Sequence, residues 1–313
     1  MNSNLIYIRN KDICVGISAD IGGSIFYLSK HTSGNLLHTN EALWDSKNKP
    51  EVTPHADFVP YNGHTIWLGP QSEWWNQQTA NPERKKEKAV WPPDPFITYG
   101  TYTVENKTES SICLVSPESP VSGVQIRKEI AVNPDGSVFQ SIHVTNISNE
   151  ERAWDIWFNT RVHGYARAYV PAKQENIRTE HVQSQTSTEM PLHVKDNFFY
   201  YSPQDPPNTH TERSSKTFIH PETPDIYAFL QEHCLHIQFE KHSQTDIHPE
   251  HALVEIYNRT EKETENSLLE LEYHAPYKRL SPGETMSAWQ VWNILEHSLN
   301  KIEQEHISFI SKK

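Results

Sequence analysis

Val124-Gln-Ile-Arg-Lys-Glu-Ile-Ala-Val132, followed by Asn133-Pro-Asp-Gly136 and then by the run Val138 to Ile147, is the stretch that decides the fold class. Apolar and polar residues alternate through its first nine positions, the period of a strand with one buried face. Asn, Pro, Asp and Gly in succession are turn chemistry, so the two runs are predicted to pair as an antiparallel hairpin. Working outward, short β-branched and aromatic runs recur at Leu5 to Ile8, Ile13 to Ile17, Ile25 to Leu28, Ile97 to Val104 and Ile112 to Val115. Others follow at Trp154 to Val162, Phe198 to Tyr201, Ile226 to Leu230, Leu235 to Phe239, Leu253 to Tyr257, Leu268 to Tyr273 and Met286 to Ile294. They read as strands, and no β-α-β alternation interrupts them, which disfavours a doubly wound sheet. Only the end has helical spacing, at Leu295, Leu299, Ile302, His306 and Phe309. The expectation is one all-β domain over residues 1–313 with a helical tail at about 295–311. No repeat or Gly/Ser linker divides the chain, and the polar stretch Gln174 to Thr188 is the one candidate boundary.

The 313 residues carry 28 Lys and Arg against 40 Asp and Glu, a net charge of -12. Such a field repels phosphate backbones and anionic lipid heads, so neither nucleic acid nor a membrane is an expected partner. Nine Trp, 13 Tyr and 11 Phe provide the large buried areas that a disordered chain lacks. The opening Met-Asn-Ser-Asn-Leu-Ile-Tyr-Ile has neither the basic start nor the apolar core of a secretory signal, and a cytoplasmic location is expected. Cys14, Cys113 and Cys234 are isolated, which argues for buried thiols rather than disulfides or a Cys-based zinc site.

Between His38 and Pro95 the chain shows little strand periodicity yet holds Trp44, Trp67, Trp74, Trp75 and Trp91. A loop so long and aromatic either lids the core or stacks on a ligand. Within it, Gly63-His-Thr-Ile-Trp-Leu-Gly-Pro-Gln-Ser-Glu-Trp-Trp75 gathers His64, Trp67, Glu73 and Trp74, a mixture that suits sugars. Indoles attract the C–H faces of a pyranose, and His and Glu fix hydroxyl positions by directional hydrogen bonds. A second group lies in Trp154 to Arg167, where strict alternation puts Asn159, Arg161 and His163 on one strand face. A third comprises Glu255, Glu270 and Glu272; the last two point the same way, and adjacent carboxylates raise each other's pKa toward that of a useful general base. Plain solvation of an outer sheet face accounts for such residues equally well. The densest histidine group, His233 and His236 with His242, His248 and His251, lacks ligand spacing, because strand positions three apart face opposite ways. No metal and no cofactor are expected.

Two landmarks at the chain ends resemble a known superfamily. Ile17-Ser-Ala-Asp-Ile-Gly-Gly-Ser-Ile-Phe-Tyr-Leu-Ser29 with Gly34-Asn-Leu-Leu37 is similar to the first hairpin of galactose-mutarotase-like proteins, and Leu280-Ser-Pro-Gly-Glu284 resembles their last turn. Gly63 to Pro70, His248 to Tyr257 and Leu269 to Pro276 look like an uncharacterised branch of that aldose 1-epimerase superfamily. The resemblance implies a β-supersandwich with a carbohydrate in its cleft. It further implies that a Glu near the C-terminus takes the anomeric hydroxyl proton while a His donates to the ring oxygen. Glu270 is the best match for that base, with Glu272 as its neighbour, and His163 for the acid. The epimerases' Asn-Arg segment and Leu-His-Gly-Gly stretch have no counterpart, and His64 falls only loosely against the latter. Two functions follow as expectations: an aldose 1-epimerase-type isomerase, or a non-catalytic binder of mono- or oligosaccharides, in either case a monomer or homodimer. Circular dichroism tests the fold class, since helix should stay well below the globular average of about one third.

Overall fold

Strand β9 (Arg152–His163) is the longest element of a sheet whose inner face carries much of the core. The structure is a computed structural model describing residues 4–31, 33–44, 49–181, 193–203, 213–260, 267–300 and 302–312. Its strands, numbered in chain order, form two ten-stranded antiparallel sheets. The first runs Ile6–Arg9 (β1), Ile13–Ser18 (β2), Ser24–Lys30 (β3), His64–Gly69 (β4), β9, Leu268–His274 (β18), Val254–Thr260 (β17), Arg213–Ile219 (β14) and Ile177–His181 (β11), with Lys278–Leu280 (β19) also beside β9. The second runs His193–Lys195 (β12), Phe198–Tyr201 (β13), Arg167–Pro171 (β10), Asp225–Leu230 (β15), His233–Phe239 (β16), Thr285–Glu296 (β20), Val138–Asn146 (β8), Val124–Val132 (β7), Ser111–Val115 (β6) and Thr103–Lys107 (β5).

The predicted hairpin is β7 and β8, paired from Val124↔Asn146 to Val132↔Val138 around Gly136 at φ +88°. Their inward residues pack in one apolar cluster with Ile66, Leu68, Trp154, Ile156 and Phe158 of the first sheet, so the sheets form a sandwich. Strict alternation also buries Lys128 in the middle of the β7 core face. Its ammonium donates to the Gly22 carbonyl at 2.7 Å and lies over the Tyr102 ring, while burial pushes its pKa down to about 7. Cys14, Cys113 and Cys234 are free thiols. No helix among the described residues is long and apolar enough to cross a membrane.

Three expectations about elements need correction. Ile97 to Val104 is not a strand: Pro95 opens the helix Pro95–Tyr99, where Asp94 caps the Phe96 N–H, and β5 begins at Thr103. Leu295 belongs to β20, opposite Cys234, and the terminal helix is Glu303–Ile310, docked through His306, Ile307 and Ile310 against Tyr169 and Phe229. The span His38 to Pro95 contains a strand, β4, whose six residues are all buried, so both faces are covered and no alternation betrays it. Of the candidate boundary Gln174 to Thr188, the first part forms a 3-10 turn and edge strand β11; residues 182–188 lie outside the described residues.

Gly63 leads into β4 with φ +71°, and a Cβ there would stand 2.5 Å from the Ile25 carbonyl oxygen of β3. Gly63→Ala is therefore expected to destabilise the protein by about 1–3 kcal/mol, read as a lower urea midpoint at unchanged slope.

Candidate functional site

The outer face of the first sheet is built by register. Pairing of β4, β9, β18, β17 and β14 lines up Trp67, Trp157 and His274 in one row, and Thr65, Asn159, Glu272 and Glu255 in the next. A third row holds Arg161, Glu270, Tyr257 and Lys216, and a fourth His163, Leu268 and Arg259. This face is not simply solvated, because residues from 38–41, 57–62 and 71–92 border it. Together they enclose a cleft of about 1280 Å³ lined by Trp67, Trp157, Arg161, Lys216, Tyr257, Arg259 and Glu270 from the sheet and by His38, Phe58 and Trp91 around it. His38 is pinned in place by the bridge Leu37↔Val162 and by its N–H, which donates to the Arg161 carbonyl at 2.9 Å.

Two ion clusters organise the floor. Arg161 Nε donates to Glu270 Oε1 at 2.6 Å, its Nη1 donates to Thr65 Oγ1 at 3.0 Å, and its guanidinium lies over the Trp67 ring. Burial raises the Glu270 pKa above the ordinary carboxylate value, with Arg161 opposing the rise and Glu272 adding to it. Lys216 Nζ sits 2.6 Å from Glu255 Oε2 and 2.9 Å from Glu272 Oε2, over the Trp157 ring. Burial alone would favour a neutral amine, but the two carboxylates outweigh it and hold the Lys216 pKa up. Lys216 in turn overcomes desolvation and holds Glu255 well below, and Glu272 below, the usual carboxylate range. Behind them lies a fully buried His274, which burial alone would keep neutral; Glu255 and Asp155 reverse that and hold its pKa well above the ordinary value.

The expected site residues divide accordingly. Glu270, Arg161 and Trp67 meet in the cleft. Glu255, Glu272 and Asn159 share their face but lie fully buried beneath the floor. His163 stands behind His38, edge-on at 5.4 Å between ring centroids, and stacks on Tyr165. His64 is a correction: the register that pairs it with Thr160 turns it into the inter-sheet core, where Nδ1 bonds Thr160 Oγ1 at 2.9 Å and the ring packs edge-on to Trp292. Trp74 is a second correction, since its indole is buried behind Trp67 and Trp157 and donates to the Leu68 carbonyl. Glu73 is a third: it occupies the turn Gln71–Glu73 just after β4, and Gln71 rather than Glu73 lines the cleft. Asp155, Trp157 and His274 went unnoticed although they continue the same alternations that flagged Asn159 and Glu272. His38, Trp91, Lys216 and Arg259 carry no such signal.

A family model described as a domain of unknown function, DUF4380, matches residues 4–295. The chain belongs to this family. No curated protein matches it in sequence. Among solved structures, a candidate aldose 1-epimerase from Escherichia coli is similar at TM-score 0.58 and 12% identity over 93% of this chain and 99% of that one. A galactose mutarotase-like protein from Lactobacillus casei is similar at TM-score 0.55 and 11% identity over 93% and 100% of the two chains. Another from Clostridium acetobutylicum has TM-score 0.54 and 14% identity over 93% and 95%. The architecture, two large sheets closed by a terminal helix, is the galactose mutarotase-like β-supersandwich fold.

The Lys216 cluster yields a stability test. Lys216→Met takes the ammonium away from two buried carboxylates, and should cost about 3–5 kcal/mol in chemical denaturation. Adding Glu272→Gln should recover part of that loss, a coupling that a double-mutant cycle measures.

Proposed function

We propose that the cleft takes a mono- or oligosaccharide and that the protein is an aldose 1-epimerase-type isomerase with Glu270 as its base. What carries this reading is the company Glu270 keeps: one cleft holds its carboxylate, the His38 imidazole and the indoles of Trp67, Trp91 and Trp157. Trp91 is 45% exposed, so its ring is open to a pyranose C–H face, while Lys216, Arg259 and Tyr257 are donors for hydroxyls. In the reaction, Glu270 takes the proton of the anomeric hydroxyl as the bond from the anomeric carbon to the ring oxygen breaks, and an imidazolium protonates that oxygen. Rotation of the freed aldehyde and the reverse transfers close the ring on its other face. His38 is the member of the His38–His163 pair at the cleft, and His163 acts from behind it. The elevated Glu270 pKa suits a base, and the Arg161 bond fixes the carboxylate's direction.

Protonation sets the pH dependence. Burial, with help from His163 and Arg161, pushes His38 down to about 4, and burial also lowers His163. The rate should rise as Glu270 ionises and fall as the imidazole loses its proton, so its maximum belongs on the acid side of neutrality. Glu270→Gln and His38→Asn should each cost about 10²–10⁴ in the polarimetric rate with sugar affinity nearly unchanged. Trp91→Ala should weaken sugar binding by about 1–2 kcal/mol in calorimetry.

A second reading, a non-catalytic carbohydrate-binding protein, is favoured by the same depressed His38. At neutral pH its uncharged ring donates a hydrogen bond without giving up a proton. Freshly dissolved aldoses and sugar phosphates, followed by optical rotation from about pH 4 to 8, separate the two. Binding without acceleration over buffer across that panel excludes the epimerase and leaves the binder.

A further inference from the structure

We propose a divalent transition-metal site beneath the cleft floor, formed by Asp155, His251 and His274. It goes beyond the sugar reading and does not depend on it. One ligand atom from each residue lies within 4.8 Å of the other two, and all three residues are buried, two of them completely. Both Asp155 oxygens, both ring nitrogens of His274 and Nε2 of His251 are buried without a hydrogen-bond partner. Native interiors rarely leave a carboxylate and two imidazole nitrogens unbonded side by side, because each has given up water for nothing.

Each imidazole has a ring nitrogen within 4.8 Å of an Asp155 oxygen. His251 Nδ1–H donates to Glu255 Oε1 at 3.0 Å, an oxygen that also accepts the Ala252 N–H, so the lone pair of Nε2 is the atom left over. His274 turns Nε2 toward Glu255 Oε2 at 3.5 Å and Glu272 Oε2 at 3.8 Å, which leaves Nδ1 at 3.5 Å from Asp155 Oδ2. Glu255 behind His251 is the outer-shell carboxylate that fixes the tautomer of a metal-bound histidine, while behind His274 Glu255 and Glu272 stand at ion-pair distance. The 3.5 Å gap is too long for a hydrogen bond, yet it is about the spacing of two ligands each roughly 2.0–2.1 Å from a tetrahedral ion.

Charge points the same way. Lys216 faces Glu255 and Glu272 while Asp155 lies against His274, so the three carboxylates, the ammonium and an imidazolium at His274 still sum to one negative charge. A divalent ion with neutral imidazoles cancels the sum. The neighbouring group of Glu255, Glu272 and His274 is not the site, because Lys216 Nζ already occupies its centre at 2.6 and 2.9 Å from the carboxylates. The His251 and His274 rings stack at 4.0 Å, so coordination turns His251, which it can do from the turn ahead of β17. Two nitrogens and one oxygen favour zinc or its transition-metal neighbours over magnesium or calcium. The ion would tie β9, β18 and that turn together under Trp157, whose ring is 4.8 Å from His274 and 5.4 Å from His251.

The test starts from protein stripped with a chelator and titrated with zinc alone, then with cobalt. Expected are one equivalent of zinc by calorimetry and elemental analysis, a rise in Tm, a visible cobalt absorption band and a change in Trp fluorescence. His251→Ala, checked for native circular dichroism, should lower zinc affinity at least about 100-fold, and Asp155→Asn likewise. His31→Ala, at an imidazole exposed on the surface, should change nothing. Failure of the stripped wild-type protein to take up one equivalent overturns the proposal whatever the variants do. So does uptake that His251→Ala leaves intact, or that His31→Ala lowers as much. Should Asp155→Asn fail to fold, the wild-type stoichiometry and His251→Ala decide.

Discussion

Strand β9 is held on both edges, by β4 from His64↔Thr160 to Gly69↔Asp155 and by β18 from Leu268↔His163 to His274↔Trp157, and the rest of the molecule hangs on that double register. Side chains on a strand alternate, so the pairing assigns Trp154, Ile156, Phe158, Thr160 and Val162 to the core and Asp155, Trp157, Asn159 and Arg161 to the other face. A slip of one residue would exchange the two sets. Packing prevents it, because Ile156, Phe158 and Val162 are completely buried against the second sheet. The apolar side thus positions the polar side, and the cleft inherits its precision from a core that takes no part in its chemistry.

A face so rich in charge could have been left to solvent, where ion pairs count for little. Here residues from 38–41, 57–62 and 71–92 border it, and charges enclosed by them must be matched at close range. Lys216 does this for Glu255 and Glu272, and Arg161 for Glu270. Indoles complete the pairing: Trp157 under the ammonium and Trp67 under the guanidinium present ring faces that attract cations. The indoles on β4 and β9 therefore have two jobs, since the same rings that wall the cleft also make its buried charges tolerable. Trp74 and Trp75 serve from behind, filling the space under the loop.

The likeness to mutarotase-like structures is one of backbone, at 11–14% identity. Fold at that distance carries no particular chemistry with it. His64 illustrates the point, because the residue placed loosely against the epimerases' Leu-His-Gly-Gly stretch turns inward to Thr160 and Trp292. The polar groups of this cleft are an Arg–Glu pair across β9 and β18, an imidazole carried in by the loop after β3, and a lysine reaching over from β14.

How much was legible in the sequence follows from periodicity. Alternation is a local property, so the β7–β8 hairpin, the strand through Asn159 and Arg161, and the shared face of Glu270 and Glu272 could be read from neighbours a few residues apart. The same rule carried back four residues from Asn159 and on two from Glu272 would have reached Asp155 and His274. Where periodicity is erased, reading failed: β4 is covered on both faces and looked like loop, and His64 was taken for a ligand residue when an odd step along that strand points it to the core. The short helix at Pro95 was hidden by β-branched and aromatic residues that its proline and aspartate cap override. The amino-acid order by itself determined that this is an all-β chain, which strand faces are polar, and that its Trp-rich segment is ordered. Only tertiary structure decided that Lys216 lies between Glu255 and Glu272, that His38 and Trp91 reach the cleft, and that Asp155, His251 and His274 converge. Those contacts join segments far apart in the chain, and their geometry is set by sheet register and loop closure, neither of which leaves a local pattern.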